Sequence, residues 1–171
     1  MLGQVIRDLG EWLTGLPPLG QFVMTFFVSM IPIIELRGAI PIAAAAGLPW
    51  HLAFIAAVLG NMLPVPFIVV YARRVFKWLK DHNRLAGMVY SLEKRALNKA
   101  GSVSKYEIIG LFIFVAIPLP GTGAWTGALI AAMLNMRLKN ALISAAAGVV
   151  TAAAAVCLLS YGITYGIRAI T

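Results

Sequence analysis

Apolar residues in this chain run in blocks, and the blocks come in two lengths. Residues 20–34 and 39–48 are each shorter than the roughly 20 residues a helix needs to cross a hydrocarbon core, whereas 51–71 is long enough. The order then repeats: 108–117 and 124–136 are short, and 141–163 is long. The blocks are continuous and rich in Ala, Leu and Ile, without the alternation of a strand, so they predict helices and exclude a β-barrel. Pro32, Glu35, Arg37 and Gly38 break the first short pair, and Pro118, Pro120, Gly121, Thr122 and Gly123 break the second. Each half therefore reads as half-helix, break, half-helix, full span, and Ile31-Pro32-Ile33 echoes Ile117-Pro118-Leu119. Two half-length blocks around such a break predict a re-entrant hairpin, which enters the membrane and returns to the same side. The plainer alternative is four or more ordinary short spans kinked at proline.

The predicted fold class is an all-α integral membrane protein with two inverted repeats, each a re-entrant helical hairpin followed by a transmembrane helix. It forms a single membrane domain: an interfacial helix (1–16), a first repeat (20–72), a basic cytoplasmic segment (73–107) and a second repeat (108–163). Leu2, Val5, Ile6, Leu9, Trp12, Leu13 and Leu16 recur at helical spacing in the first of these, without the pattern of a signal peptide.

Composition sharpens the picture. With 61% hydrophobic and 12% charged residues, the chain cannot assemble a water-facing surface of ordinary polarity. Its formal charge of +8 would point to nucleic acid in a soluble protein. Here topology and anionic lipid account for it, because most of the Lys and Arg fall between Arg73 and Lys105, with Arg137 and Lys139 between later blocks. Placing both clusters in the cytoplasm opens the first hairpin outward and the second inward. The predicted location is the cytoplasmic (inner) membrane of a bacterium or archaeon, multi-pass. Cys157 is the only cysteine and lies in an apolar block, which excludes an intrachain disulfide and a Cys-rich metal site. No His, Asp and Glu cluster or nucleophile triad emerges, so neither a metal, a cofactor nor an enzyme is expected.

Glu35 and Arg37 carry the main chemical signal, being the only charged residues between Glu11 and Arg73. Two residues apart on a regular helix, they would not face each other, so a direct pair requires an unwound tip, which Pro32 and Gly38 would allow. The bland reading has both snorkelling from a shallow hairpin. At depth, Glu35 is a candidate proton carrier, and Arg37 presents a planar fork of donors to phosphate or carboxylate. The second tip, Pro118, Pro120, Gly121, Thr122 and Gly123 with Trp125 beyond, carries no charge but offers backbone groups and a hydroxyl to a head group or ion. Gly123 and Gly127 also fit a small-residue packing face. Asn61, followed by Pro64 and Pro66, is expected to hydrogen-bond carbonyls freed by a kink rather than to touch a substrate.

On Glu35-Leu36-Arg37-Gly38-Ala39-Ile40-Pro41 and Pro118-Leu119-Pro120-Gly121-Thr122-Gly123-Ala124-Trp125-Thr126-Gly127, the chain resembles the small multidrug export protein family from about residue 20 to 160. More distantly it is similar to the DedA superfamily, in which two re-entrant hairpins carry polar residues and some members are implicated in moving polyprenyl phosphates or phospholipids. It departs from that pattern in having no charge on the second tip. The resemblance implies a small transporter or flippase for an anionic lipid or other amphipathic substrate, with Glu35 exchanging protons and substrate held between the tips. Two alternatives stay open: an exporter of lipophilic cationic drugs, and a non-transporting scaffold or assembly factor acting through its basic segment. Membrane lipids and a lipid-phosphate or amphipathic substrate are the expected partners. A homodimer through Ala145–Gly148 and Ala152–Ala155 is a further expectation.

Overall fold

The structure, a computed structural model, describes residues 15–81, 104–119 and 121–170. Most of the expected interfacial helix, the middle of the basic segment and Pro120 lie outside these residues. The described residues form helices and turns: α1 (Pro18–Ser29), α2 (Glu35–Ala45), α3 (Trp50–Met62), α4 (Pro64–Asp81), α5 (Ser104–Ala116), α6 (Ala124–Met133) and α7 (Leu138–Ile170). The pairs α1/α2 and α5/α6 are each two half-length helices joined by a short turn, a helical hairpin at the place of each predicted break. Residues Trp50–Val75 and Leu138–Ile163 are long and apolar enough to cross a membrane. The first of these is interrupted at Leu63, because Pro64 and Pro66 cannot donate the backbone hydrogen bonds that would continue α3 into α4.

Burial is inside-out for a protein in water. Alanine is the commonest buried apolar side chain, while Phe27, Leu59, Phe67, Leu158 and Leu159 are all more than half exposed. Helix α1 goes further and turns Gln21, Thr25, Val28 and Ser29 inward while exposing Leu19, Val23 and Phe27. Small residues inside let helices approach closely where apolar surroundings give no hydrophobic drive for packing.

The chain forms two compact units that do not follow the repeat boundaries: residues 1–63 with 149–171, and residues 64–148. Each contains one hairpin, the first half of the long helix that follows it, and the second half of the other long helix. In the first unit α1, α2 and α3 pack on one another, with Val28, Ala39, Ile42 and Ala46 at the centre and Leu16, Met24 and Ile34 around them. In the second, α6 packs against α4 and α5.

The same construction occurs in both units. Return arm α2 ends in paired bonds from Gly47 N–H to Ala44 O (3.2 Å) and Leu48 N–H to Ala43 O (3.0 Å). Return arm α6 ends in Asn135 N–H to Ala132 O (3.2 Å) and Met136 N–H to Ala131 O (3.0 Å). These are Schellman ends, and both turn residues lie in the left-handed region, Gly47 at φ 84° and Asn135 at φ 52°. The carbonyl just past each end is then taken by a side chain from a long helix. Tyr161 donates to Leu48 O at 2.7 Å in the first unit, and Arg73 donates through Nη2 to Met136 O in the second. Leu48 and Met136, Arg73 and Tyr161, and Gly60 and Gly148 are all separated by one constant interval along the chain.

Those two glycines mark close helix crossings. A Cβ at Gly60 would lie 2.1 Å from Phe26 O and 2.2 Å from Ser29 Oγ, and one at Gly148 would lie 2.7 Å from Val115 Cβ. Ala145, Gly148, Ala152 and Ala153, expected on a dimer face, are buried within the chain itself. Gly60→Ala is predicted to destabilise by about 3 kcal/mol, the upper end of overpacking. Gly110→Ala, in α5 with no heavy atom within 4 Å of the new Cβ, gains roughly 0.5–1 kcal/mol from helix propensity. Thermal unfolding of both variants in detergent gives the comparison.

Candidate functional site

The first hairpin turns over residues 30–34, tied by Ile31 N–H to Val28 O (3.2 Å), Ile34 N–H to Ile31 O (3.2 Å) and Glu35 N–H to Ile31 O (2.9 Å). This is tighter than the expected unwound tip. Gly38 belongs to α2 and donates to Ile34 O at 2.9 Å, so both Glu35 and Arg37 sit in the first turn of a helix. The strain falls on Glu35, whose φ of 49° is left-handed. A non-glycine residue held there costs on the order of 1–3 kcal/mol and is characteristic of functional positions.

Glu35 is also buried, at 6% exposure, while Arg37 is half-buried and feels the Glu35 charge directly. The two charges thus share the first turn of α2, beginning at the left-handed Glu35. Pro41, inside α2, has no N–H to give to the Arg37 carbonyl four residues earlier.

The inner face of α1 leads to this point. Thr25 donates to Gln21 O at 2.7 Å and Ser29 donates to Phe26 O at 2.8 Å, while Gln21 reaches Ala46 O at 3.2 Å and Leu16 O at 3.3 Å. Gln21, Thr25, Ser29, Glu35 and Asn61 are buried polar residues of this one unit. Sequence reasoning missed the first three, although their spacing of four residues inside an apolar block was a readable helical stripe.

Asn61 corrects an expectation. Its side chain is fully buried, yet neither Oδ1 nor Nδ2 has a hydrogen-bond partner among the described residues. It does not bond the carbonyls released by Pro64 and Pro66.

The second tip is built from itself. Gly121 takes φ 82°, and Gly123 is the extended residue before α6. Thr122 Oγ lies 2.7 Å from Ile117 O and 2.9 Å from Leu119 O, either of which its proton can reach, and accepts from Leu119 N–H at 3.3 Å. Its hydroxyl is therefore spent on holding the turn. Pro118 is exposed, Trp125 is half-buried, and Gly127 lets α6 close on Val115 and Leu111 of α5. Glu35, Arg37 and Asn61 belong to one unit, and Pro118, Gly121, Thr122, Gly123 and Trp125 to the other.

Residues 35–155 match the family described as Putative small multi-drug export protein. The chain belongs to that family. In this small multi-drug export family member the matched stretch begins at Glu35, just past the first turn, takes in the second tip and ends within α7. No curated protein and no solved structure matches the chain. A transporter family and two helices of spanning length together point to a membrane protein. The groups of His, Cys, Asp and Glu needed for a metal ion are absent among the described residues.

Thr122→Val is predicted to loosen the second tip, with faster amide hydrogen exchange at Leu119 and no change at the Gly47–Leu48 turn. Residue-resolved exchange measures both.

Proposed function

We propose that the chain is a small transporter that moves an anionic amphiphile, with lipid phosphates as the substrate class, and that its binding group is the Glu35–Arg37 pair at the first hairpin. The observation that carries this reading is the buried carboxylate and half-buried guanidinium in the first turn of α2, in a stretch of chain with no other charge. Arg37 would hold the head group through its fork of donors and stay charged where water is scarce. Glu35 would carry the coupled proton, bonding or repelling its neighbour as it changes state.

The two repeats would lie inverted in the membrane as re-entrant hairpins. Support comes from the charge map and from the Arg73 bond to Met136 O, which joins the two basic clusters, Arg73–Arg74 and Arg137–Lys139, at one end of the second unit. Both then belong on the cytoplasmic side. The Trp50–His51 edge contact at 5.8 Å follows the first hairpin, where an aromatic belt at the other interface is expected.

A second reading, export of lipophilic cations, is favoured by the family's description and by the deeper burial of Glu35 than of Arg37. The two readings part at Arg37, which would repel a cation bound at Glu35.

The experiment is transport in proteoliposomes with a fluorescent lipid phosphate, across a pH gradient. Arg37→Ala is expected to lower the initial rate at least tenfold, and Glu35→Gln to leave a slower rate that no longer responds to the gradient. A Glu35→Gln protein with unchanged rate and pH response would remove the proton role. An Arg37→Ala protein that retains export of a lipophilic cation would favour the second reading.

A further inference from the structure

We infer that Asn61 reads the polar head of the transported molecule, through a carboxamide that the protein itself leaves unmet. The inference deepens the reading of the first hairpin as the substrate site and rests on it.

A fully buried amide without partners is costly, because each unmet donor or acceptor gives up its hydrogen bonds to water without replacing them. The fold does not require an amide at this place. In the second unit the residue at the corresponding interval is Val149, equally buried, one position after Gly148 as Asn61 follows Gly60. An apolar, β-branched side chain thus fills the same position in the same construction. The obvious local use, bonding the carbonyls released by Pro64 and Pro66, is not made.

Position supplies the rest. Helix α2 runs from Glu35 to Ala45, the chain turns over residues 46–49, and α3 returns from Trp50 alongside it. At about 1.5 Å of rise per residue, Glu35 and Asn61 are each roughly 15–17 Å from that turn, and so at one level of the unit. Gly60 fixes that level independently, since its Cα packs against Phe26 O and Ser29 Oγ at the end of α1. Asn61 is therefore carried by α3 to the height of the first tip, where α2 begins with Glu35 and Arg37.

A carboxamide presents two donors and one acceptor, so its complement is a head group that both accepts and donates. A phosphate monoester carrying one proton does so, with P–O accepting from Nδ2 and P–OH donating to Oδ1. A tetraphenylphosphonium ion can do neither. With Arg37 supplying the charge and a fork of donors, Asn61 would add the acceptor that a guanidinium lacks, and so would select a head group that also donates.

The test is a thermal-stability titration of the purified chain in detergent, using a polyprenyl phosphate and tetraphenylphosphonium as probes, on wild type, Arg37→Ala, Asn61→Val and Asn61→Leu. The two Asn61 variants are expected to unfold at higher temperature than wild type without ligand and to bind the polyprenyl phosphate at least tenfold more weakly. Two shapes are used so that a packing failure in one does not decide the result. Phosphate affinity unchanged in the Asn61 variants but reduced in Arg37→Ala would overturn the inference and leave the substrate site standing. A wild type stabilised by tetraphenylphosphonium and not by the phosphate would overturn both. Lower stability with unchanged phosphate affinity would make Asn61 a site for structural water, and would also overturn the inference.

Discussion

In apolar surroundings every helix end is a problem, because the last four carbonyls and first four N–H groups have no partner within the helix. A chain built from half-length helices has many such ends, and the fold is largely the way they are met. Each return arm closes with paired turn bonds through a left-handed residue, and the next carbonyl is taken by a side chain late in a long helix: Tyr161 at Leu48, Arg73 at Met136. That bond also explains why each compact unit combines a hairpin with the second half of the other repeat's long helix. Neither hairpin is capped by its own repeat alone.

On this duplicated frame, buried polar side chains gather in one unit, with Ser144 the exception in the other among the described residues. Gln21, Thr25, Ser29, Glu35 and Asn61 are buried in the first unit. At the same interval along the chain, Gln21, Thr25 and Ser29 are matched by Ile109, Ile113 and Ile117, Glu35 and Arg37 by Gly123 and Trp125, and Asn61 by Val149. The second hairpin keeps the turn, the close crossing and the cap without the chemistry. A shared scaffold with most of its buried polar side chains in one copy suits a transporter with a single binding group per chain, and it supports the proposal that substrate binds at the first tip.

Much of this was legible from the pattern of block lengths: the half-helices, both breaks, both long helices and the repeat. The Glu35–Arg37 signal was legible too, because charge inside an apolar chain has few innocent explanations. The details of the tip were not, since a left-handed φ at a glutamate cannot be read from local preference, which favours Gly or Asn there. The expectation of unwinding at Gly38 failed because the turn is completed earlier, at residues 30–34, and Gly38 is then free to be helical. Asn61 was misread because a proline-freed carbonyl is the nearest conceivable partner in sequence, yet neither atom of its carboxamide is bonded among the described residues. The Tyr161 and Arg73 caps link residues far apart along the chain, and their constant interval becomes visible only once the end of each return arm is known.

The central claim is that each hairpin enters the membrane and returns to the side it left. With Cys157 replaced by alanine, single cysteines at the exposed positions Pro17, His51, Arg74 and Lys139 can be labelled in oriented vesicles by a membrane-impermeant maleimide applied to one face at a time. The account predicts that Pro17→Cys and His51→Cys react only from the outer face, and that Arg74→Cys and Lys139→Cys react only from the cytoplasmic face. Pro17→Cys and His51→Cys reacting from opposite faces would make α1 and α2 part of an ordinary crossing, and would contradict it.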